Sequence, residues 1–288
     1  MAFTAQDVKT LREMTGVGMM DCKKALSECD GDMDKAVEYL REKGLAKAAK
    51  KAGRIAAEGM AYAAVCPECG VGAVVEVNCE TDFCAKSDLF VSFVKDICKV
   101  VLKDNPADIE ALQQCKYPNS ELTVAETMPE KVMSIGENLQ LRRFARFGEN
   151  TSVAYVHAGG KIGVLVTFEV EGIDPASADF QTYGRDVAMQ VAAASPVSAT
   201  RESVPAEVVE HEKSIYKAQA AESGKPEAIQ EKMATGRLEK FYKENCLTEQ
   251  AFVKNPDQSV LAYTDECAKK LGGTITVTGF TRWALGEN

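Results

Sequence analysis

Cys66 and Cys69, in the run Cys66-Pro67-Glu68-Cys69, have the spacing of a zinc knuckle or of a redox dithiol. A zinc site needs two more ligands. Cys79 is the obvious third, but residues 72–79 read as a strand, and at about 3.3 Å per residue they carry it roughly 20 Å from the turn. That excludes Cys79, so an inert turn is the expectation and a Cys66/Cys69 half-site for metal the weaker alternative. A thioredoxin-like role lacks its usual setting, a CxxC that opens a helix after a buried strand.

His157 is one of only two histidines, the other being His211. As a general base it would need an orienting carboxylate and a nucleophile, and the sequence nominates neither. It reads as a hairpin-edge residue at an interface. The surrounding "VHAGGKIG" lacks Walker spacing and sits between strands instead of opening a helix, so it is not a phosphate loop. No nucleotide site is visible.

The third candidate is Thr81-Asp82-Phe83-Cys84, where a β-type run turns into a helix. For most phenylalanines the core is the answer. Here the helix behind carries an apolar stripe, Leu89, Phe90, Phe93, Val94, Ile97 and Val101, and Phe83 lies ahead of it in the first turn. Asp82 suits a helix start through capping and the dipole. Phe83 has no obvious core assignment.

The elements around these residues divide into three parts. Thr4 and Asp7 make a capping box, and Val8, Leu11 and Met14 keep helical spacing until "TGVG". A second helix starts near Met19 or Met20, with Cys22, Ala25, Leu26 and Cys29 on one face, and stops at Asp30-Gly31-Asp32. A third, with Ala36, Val37 and Leu40, runs from Met33 to Gly44. The result is a small three-helix bundle, which resembles a module of ubiquitin-associated type. "KGLAKAAKKAGR" then reads as a connecting helix with a basic face of Lys43, Lys47, Lys50, Lys51 and Arg54, solvated by default, since no aromatic platform for RNA interleaves the charges.

After Gly59 the period becomes that of strands. "AYAAV" and "GAVVEVNCE" form a hairpin around "CPECGVG", a long helix runs from Asp82 to "DNPAD", and "ENLQLRRFARFGEN" is a closing strand. The second half repeats the order: a hairpin around Ala158-Gly159-Gly160-Lys161, a helix at "RDVAMQVAAAS", a helix from Ser259 to Leu271, and a strand "GTITVTGFTRWALGE". The fold class is α+β, with antiparallel sheets and helices on one side. Domains are expected at residues 1–54, 55–149 and 150–288. The last contains a helical-hairpin insertion at about 203–245, Pro205 to Glu222 and Glu227 to Glu244. Its seam pairs Val208 with Ile215 and Val209 with Tyr216, opposite Ile229, Met233 and Phe241. That seam is thin, which makes the hairpin a coiled-coil protrusion stabilised by a partner and a candidate dimerisation element.

Composition sets the outer limits. The 288 residues are 45% hydrophobic and 27% charged, enough for a core without staples, and the formal charge of −9 argues against a wide nucleic-acid footprint. The N-terminus has no signal-peptide pattern and no stretch is apolar enough to span a membrane, so a cytoplasmic protein with ten free thiols is expected.

Longer motifs then carry a resemblance. "TGVGMMDCKKAL", "KAAKKAGRIAAEG", "VEVNCETDFCAK", "IGENLQLRR" and "HAGGKIGVLV", followed by "SGKPEAIQEKMATGRLEKF" and "LTEQAFV", closely resemble the elongation factor Ts family, in order and over nearly the whole chain. The resemblance implies a guanine nucleotide exchange factor for elongation factor Tu, without cofactor or covalent chemistry. It implies that Asp82 and Phe83 enter the partner's GTPase domain, Phe83 wedging near the Mg²⁺ and phosphate site so that GDP leaves. Arg12, Met19, Met20 and Lys23 would touch the same domain. Ile135, Gly136 and Asn138 would support the wedge, while His157 and Val253 would meet other parts of the partner. Cys84 stands where the family often has valine, and the Cys66/Cys69 turn has no family role. Two rival readings remain, a thiol or zinc enzyme at Cys66 and Cys69, and a peptide-binding adaptor built on the N-terminal module alone.

Overall fold

Residues 3–51 fold on caps visible in the sequence. The computed structural model describes residues 3–148 and 150–287. Helix α1 (Ala5–Thr15) starts with the Thr4 hydroxyl accepting the Asp7 N–H at 3.3 Å and the Asp7 carboxylate accepting the Thr4 N–H at 2.7 Å. It ends at Gly16, in the left-handed region. With α2 (Met19–Glu28) and α3 (Met33–Lys51) it buries Leu11, Cys22, Ala25, Leu26, Ala36 and Leu40 in one core. One expectation fails here: α3 does not stop at Gly44 but continues to Lys51, fusing the third helix with the basic connector. A single interior glycine costs a helix only about 1 kcal/mol, and tertiary contact outweighs it.

The remainder is two copies of one plan. The first copy runs β1 (Glu58–Val65), β2 (Gly72–Cys79), α4 (Asp82–Ala85), α5 (Asp88–Asp104), α6 (Ile109–Gln114), α7 (Val124–Ile135) and β3 (Gln140–Phe147), with strand order β1-β2-β3. The second runs β4 (Thr151–His157), β5 (Ile162–Glu171), α8 (Ala178–Ala194), α9 (Ala206–Ala221), α10 (Glu227–Asn245), β6 (Ala251–Phe252), β7 (Asn255–Ser259), α11 (Val260–Leu271) and β8 (Thr274–Ala284), with order β4-β5-β8. Both sheets are antiparallel.

The correspondence reaches single residues. α5 and α8 are each 17 residues long, each capped by a serine, Ser87 and Ser177, and each closed by a left-handed non-glycine residue, Asn105 and Ser195. α7 and α11 each have 12 residues, start on a hydroxyl cap, Thr123 or Ser259, and end on a left-handed glycine, Gly136 or Gly272. The central strand of each sheet carries a register shift, at Glu76/Val77 and at Thr167/Phe168.

The two sheets pack on each other. A Cβ on Gly72 would lie 2.7 Å from the Leu165 and Ser152 side chains, so only glycine permits this approach. The Ala61 N–H donates to the Gly160 carbonyl at 2.8 Å, at the tip of the β4–β5 hairpin. Arg143 on β3 donates to the buried Glu76 carboxylate at 2.6 Å and stacks over the Trp283 ring of β8 at 4.8 Å, with Arg142 also 3.5 Å from Glu76. Phe90, Phe93, Val94, Ile97 and Val101 of α5 fill the first core, and Phe168, Phe180, Tyr183, Val187 and Val191 the second. Each such side chain contributes roughly 1.5–3 kcal/mol of burial.

Four further expectations need correction. The long helix from Asp82 is two helices, because Ser87 re-caps the chain with its hydroxyl accepting the Phe90 N–H. Leu89 is 55% exposed, so the α5 stripe begins at Phe90. α6 and α7 occupy a stretch for which the sequence reading offered no element, although Thr123 and Glu126 form a capping box there. α8 starts at Ala178, well before Arg185, because Phe180 and Tyr183 extend its buried face. In the inserted hairpin Pro205 and Pro226 open the two helices. Ile229 does not join the seam: it is 45% exposed, and Ala220 and Ala234 are the buried residues. Among the described residues no helix is long and apolar enough to cross a membrane.

Candidate functional site

Where β2 ends, the chain makes a turn held from three sides. Cys79 is fully buried, and two residues later Thr81 caps α4, its hydroxyl accepting the Cys84 N–H at 3.2 Å. The cap is thus Thr81, and Asp82 is the first helical residue. Asp82 accepts from Lys86 at 2.7 Å, and that hydrogen bond holds its carboxyl below the ordinary range. Phe83 follows and is 84% exposed, an unusual position for an aromatic side chain.

The second support is the segment after α7. Glu137 Oε2 accepts the backbone N–H groups of Glu80 at 2.9 Å and Thr81 at 3.0 Å, and Oε1 accepts the Thr81 hydroxyl at 2.6 Å. In return the Glu80 carboxylate accepts the Asn138 N–H at 2.7 Å. That bond, helped by Arg54 at 3.3 Å, keeps the Glu80 carboxyl below its usual value. The two segments therefore exchange side-chain and backbone bonds reciprocally, and charge-assisted bonds of this kind are the stronger ones.

The third support comes from the end of α3. The buried Asn138 amide donates to the Arg54 carbonyl at 2.8 Å, and Lys51 donates to the Gly136 carbonyl. α7 is in turn clamped to the N-terminal module: Met133 joins the module's core, Arg41 lies 3.5 Å from Glu130, and a Cβ on Gly44 would sit 3.4 Å from the Pro129 carbonyl. One helix thus holds the module on its flank and the Phe83 turn at its C-terminus.

Of the sequence-predicted residues, Asn138 bonds to Glu80 just before the turn, Gly136 is held by Lys51, and Ile135 packs on the core that contains Cys79 and Cys84. Ile135 ends α7 half-buried, and Gly136 takes φ +91° as the helix cap. Arg12, Met19, Met20 and Lys23 are exposed on the module, Met20 at 76%, and so is Met14. His157 and Val253 are not part of the turn. His157 ends β4, with its Nδ1 2.9 Å from the Tyr155 hydroxyl. Val253 is exposed between β6 and β7, its N–H donating to the buried Gln190.

Cys66 and Cys69 sit at the tip of the β1–β2 hairpin, closed by Cys66 N–H to Val71 at 2.8 Å and Gly70 N–H to Cys66 at 3.0 Å. Cys79 pairs with Glu58 at the opposite end of the same hairpin, in line with its exclusion as a co-ligand. The Cys66 thiol is held below its ordinary value by the Cys69 side chain and by the N–H groups of Glu68 and Cys69.

With this geometry in hand, comparison with known proteins is decisive. A family model described as "Elongation factor TS" matches residues 80–287. An elongation factor Ts of Trichlorobacter lovleyi is 50% identical over 291 aligned residues, 100% of this chain and 94% of the relative. The chain belongs to the elongation factor Ts family. Elongation factor Ts of a type A strain of Clostridium botulinum is 47% identical over 99% of this chain and 92% of its own, and that of the type B strain Eklund 17B is 45% identical over 99% and 93%.

Within this elongation factor Ts chain, sequence reasoning passed over the residues that immobilise the turn: Lys51, Arg54, Glu80 and Glu137. The available signal was the pair of carboxylates next to backbone with no sheet partner, Glu80 after the last β2 residue and Glu137 just past the α7 glycine cap. Such backbone N–H groups must find acceptors. It also left unremarked that the ligand atoms of Cys79, Cys84 and Glu137 converge, all within 4.8 Å of one another.

Proposed function

We propose that this chain is a guanine nucleotide exchange factor for elongation factor Tu, and that Phe83 is its working side chain. The observation that carries the reading is an aromatic residue left 84% exposed on a turn whose flanks are tied down by six directed hydrogen bonds that involve Glu137, Glu80, Asn138 and Gly136, with Thr81 capping Cys84 inside the turn. A rigid support allows an apolar side chain to be pushed into a partner without the turn itself collapsing. Asp82 is the polar neighbour, and Ile135, Gly136 and Asn138 back the turn. The exposed face with Arg12, Met19, Met20 and Lys23 docks on the GTPase domain, and His157 and Val253 lie on surfaces that meet other parts of elongation factor Tu. The units at 1–54, 55–149 and 150–288 act together in the cytoplasm.

The mechanism is linkage and involves no bond making. Factor and nucleotide weaken each other's binding by the same ratio, so exchange speeds up while the final GDP/GTP preference is unchanged. Burying one phenylalanine contributes about 1.5–3 kcal/mol, equivalent to roughly one to two decades in affinity if realised only in the nucleotide-free state. Timing the release of fluorescent GDP from elongation factor Tu with and without the chain tests this. Acceleration is expected, and an unchanged rate overturns the proposal.

A further inference from the structure

Beneath the exposed turn lies a set of converging donors, of which the exchange reading leaves the Cys79 and Cys84 thiols without a role and shares Glu137. Cys79 is the last residue of β2 and fully buried. Cys84 lies in α4 and is 7% exposed, and Glu137 follows the α7 cap and is half-buried. One ligand atom from each lies within 4.8 Å of both others. The Cys79 thiol donates to the Thr81 carbonyl at 3.3 Å. The Cys84 thiol is pushed far above its ordinary value by the neighbouring Cys79 sulfur, by burial and by the Glu137 carboxylate.

From this convergence we infer that Cys79, Cys84 and Glu137 form a site for a thiophilic divalent cation, Zn²⁺ being the natural occupant. Two sulfurs and one carboxylate oxygen are a recognised donor set for zinc. At bond lengths of about 2.3 Å to sulfur and 2.0–2.2 Å to oxygen, tetrahedral ligands lie about 3.5–3.8 Å apart. From at most 4.8 Å the widest pair must close by about 1.0–1.3 Å, within the reach of side-chain rotation. Binding replaces the two thiol protons, which are released, by one dication shared among two thiolates and a carboxylate. The local charge stays at −1 before and after binding, so metal binding buries no additional net charge. Water from the exposed Thr81 side completes the fourth position.

The chemistry distinguishes this site from the Cys66/Cys69 turn, which offers a half-buried and an exposed sulfur at a hairpin tip and, among the described residues, no convergent third donor. It also disfavours a simple disulfide between Cys79 and Cys84: burial and the carboxylate oppose the thiolate that disulfide exchange requires, whereas a cation lowers the thiol's cost of ionisation. An occupied site would bracket Thr81, Asp82 and Phe83 between two ligands five residues apart in sequence and fix the turn covalently at both ends.

The test uses the full chain, reduced and metal-free, titrated with Co²⁺ as a spectroscopic stand-in for Zn²⁺ and then with Zn²⁺ itself. One equivalent of Co²⁺ is expected to give thiolate-to-cobalt charge-transfer absorption, which Zn²⁺ displaces. The signal should persist in a Cys66→Ser, Cys69→Ser double variant, vanish in Cys84→Val, and weaken at least tenfold in affinity in Glu137→Gln. Zn²⁺ should raise the melting temperature of the double variant and leave that of Cys84→Val unmoved, a comparison that needs only each variant's own metal-free melt. Absence of charge-transfer absorption in the wild type overturns the site, as does a signal that follows Cys66 and Cys69. None of these readouts depends on elongation factor Tu.

Discussion

The Glu137 carboxylate accepts the Thr81 hydroxyl at 2.6 Å although 56 residues separate them in the chain. The same carboxylate takes two backbone N–H groups from the end of β2. A turn at a sheet edge would ordinarily satisfy those groups with water and remain loose; here one side chain from another element satisfies all three. Glu137→Ala is expected to cost about 1–3 kcal/mol, the range for leaving partly buried donors unsatisfied, and to slow exchange by blurring the position of Phe83. Urea unfolding beside the GDP-release assay checks both. Normal stability and normal exchange would show that the turn holds without it.

Phe83→Ala should separate function from folding. An 84% exposed side chain contributes little to the fold, so stability should change by less than about 0.5 kcal/mol while exchange falls by roughly tenfold to a hundredfold. A lowered melting temperature with undiminished exchange would return Phe83 to a packing role.

Arg143 is the test of what joins the two sheets. It neutralises Glu76, whose side chain is wholly buried, and covers Trp283. Arg143→Ala leaves that carboxylate with only the longer Arg142 contact, and breaking a buried pair from one side costs about 3–5 kcal/mol. Chemical denaturation should register a loss of that size, and Arg143→Lys should recover only part, because lysine lacks the planar face that stacks on the indole.

Acid should loosen the turn before it unfolds the cores. Asn138 and then Arg54 hold the Glu80 carboxyl below its ordinary 4.5. Because the folded value is depressed, the stabilisation is fully present above about pH 4.5 and is lost as pH falls through the lower folded value. Glu80→Gln should therefore be less stable than the wild type near neutral pH, with the difference shrinking below pH 4.5. A gap that stays constant across that window would show that Glu80 does not titrate as described.

Alkylation should rank the ten cysteines by environment. Cys66 sits at an exposed tip with its thiol held below the ordinary value, whereas burial pushes Cys98 up to about 12. Brief iodoacetamide treatment at neutral pH, read by peptide mapping, should label Cys66 first and Cys98 last. Comparable labelling of the two would contradict the assigned burial.

Much of this architecture was legible because each signal is local. The Thr4–Asp7 box, the hairpin around Ala158 to Lys161, and Pro205 at the start of the first inserted helix all depend on neighbouring residues. Errors arose where a tertiary contact overrides a local cue. Gly44 reads as a stop until α7 is seen packed against it, and Ile229 reads as seam until two alanines are found closing the hairpin. At the site, Phe83 was conspicuous because it fitted no stripe. Its supports were not, since Glu137 and Glu80 stand 57 residues apart and their bond to backbone leaves no periodic trace.

The two matched halves end their central strands differently. After β5 the chain passes through Gly172 toward Ser177, and Gly273 lies so near that even a methyl group would strike the Glu171 carbonyl. After β2 the corresponding corner carries Thr81, Asp82 and Phe83 at the start of α4. The molecule thus contains its own unmodified copy: one corner kept shut as plain scaffolding, the other made into a tool. Reach toward a partner is then a property of a handful of residues at one corner, and transplanting them onto its twin would ask how little sequence separates a frame from an instrument.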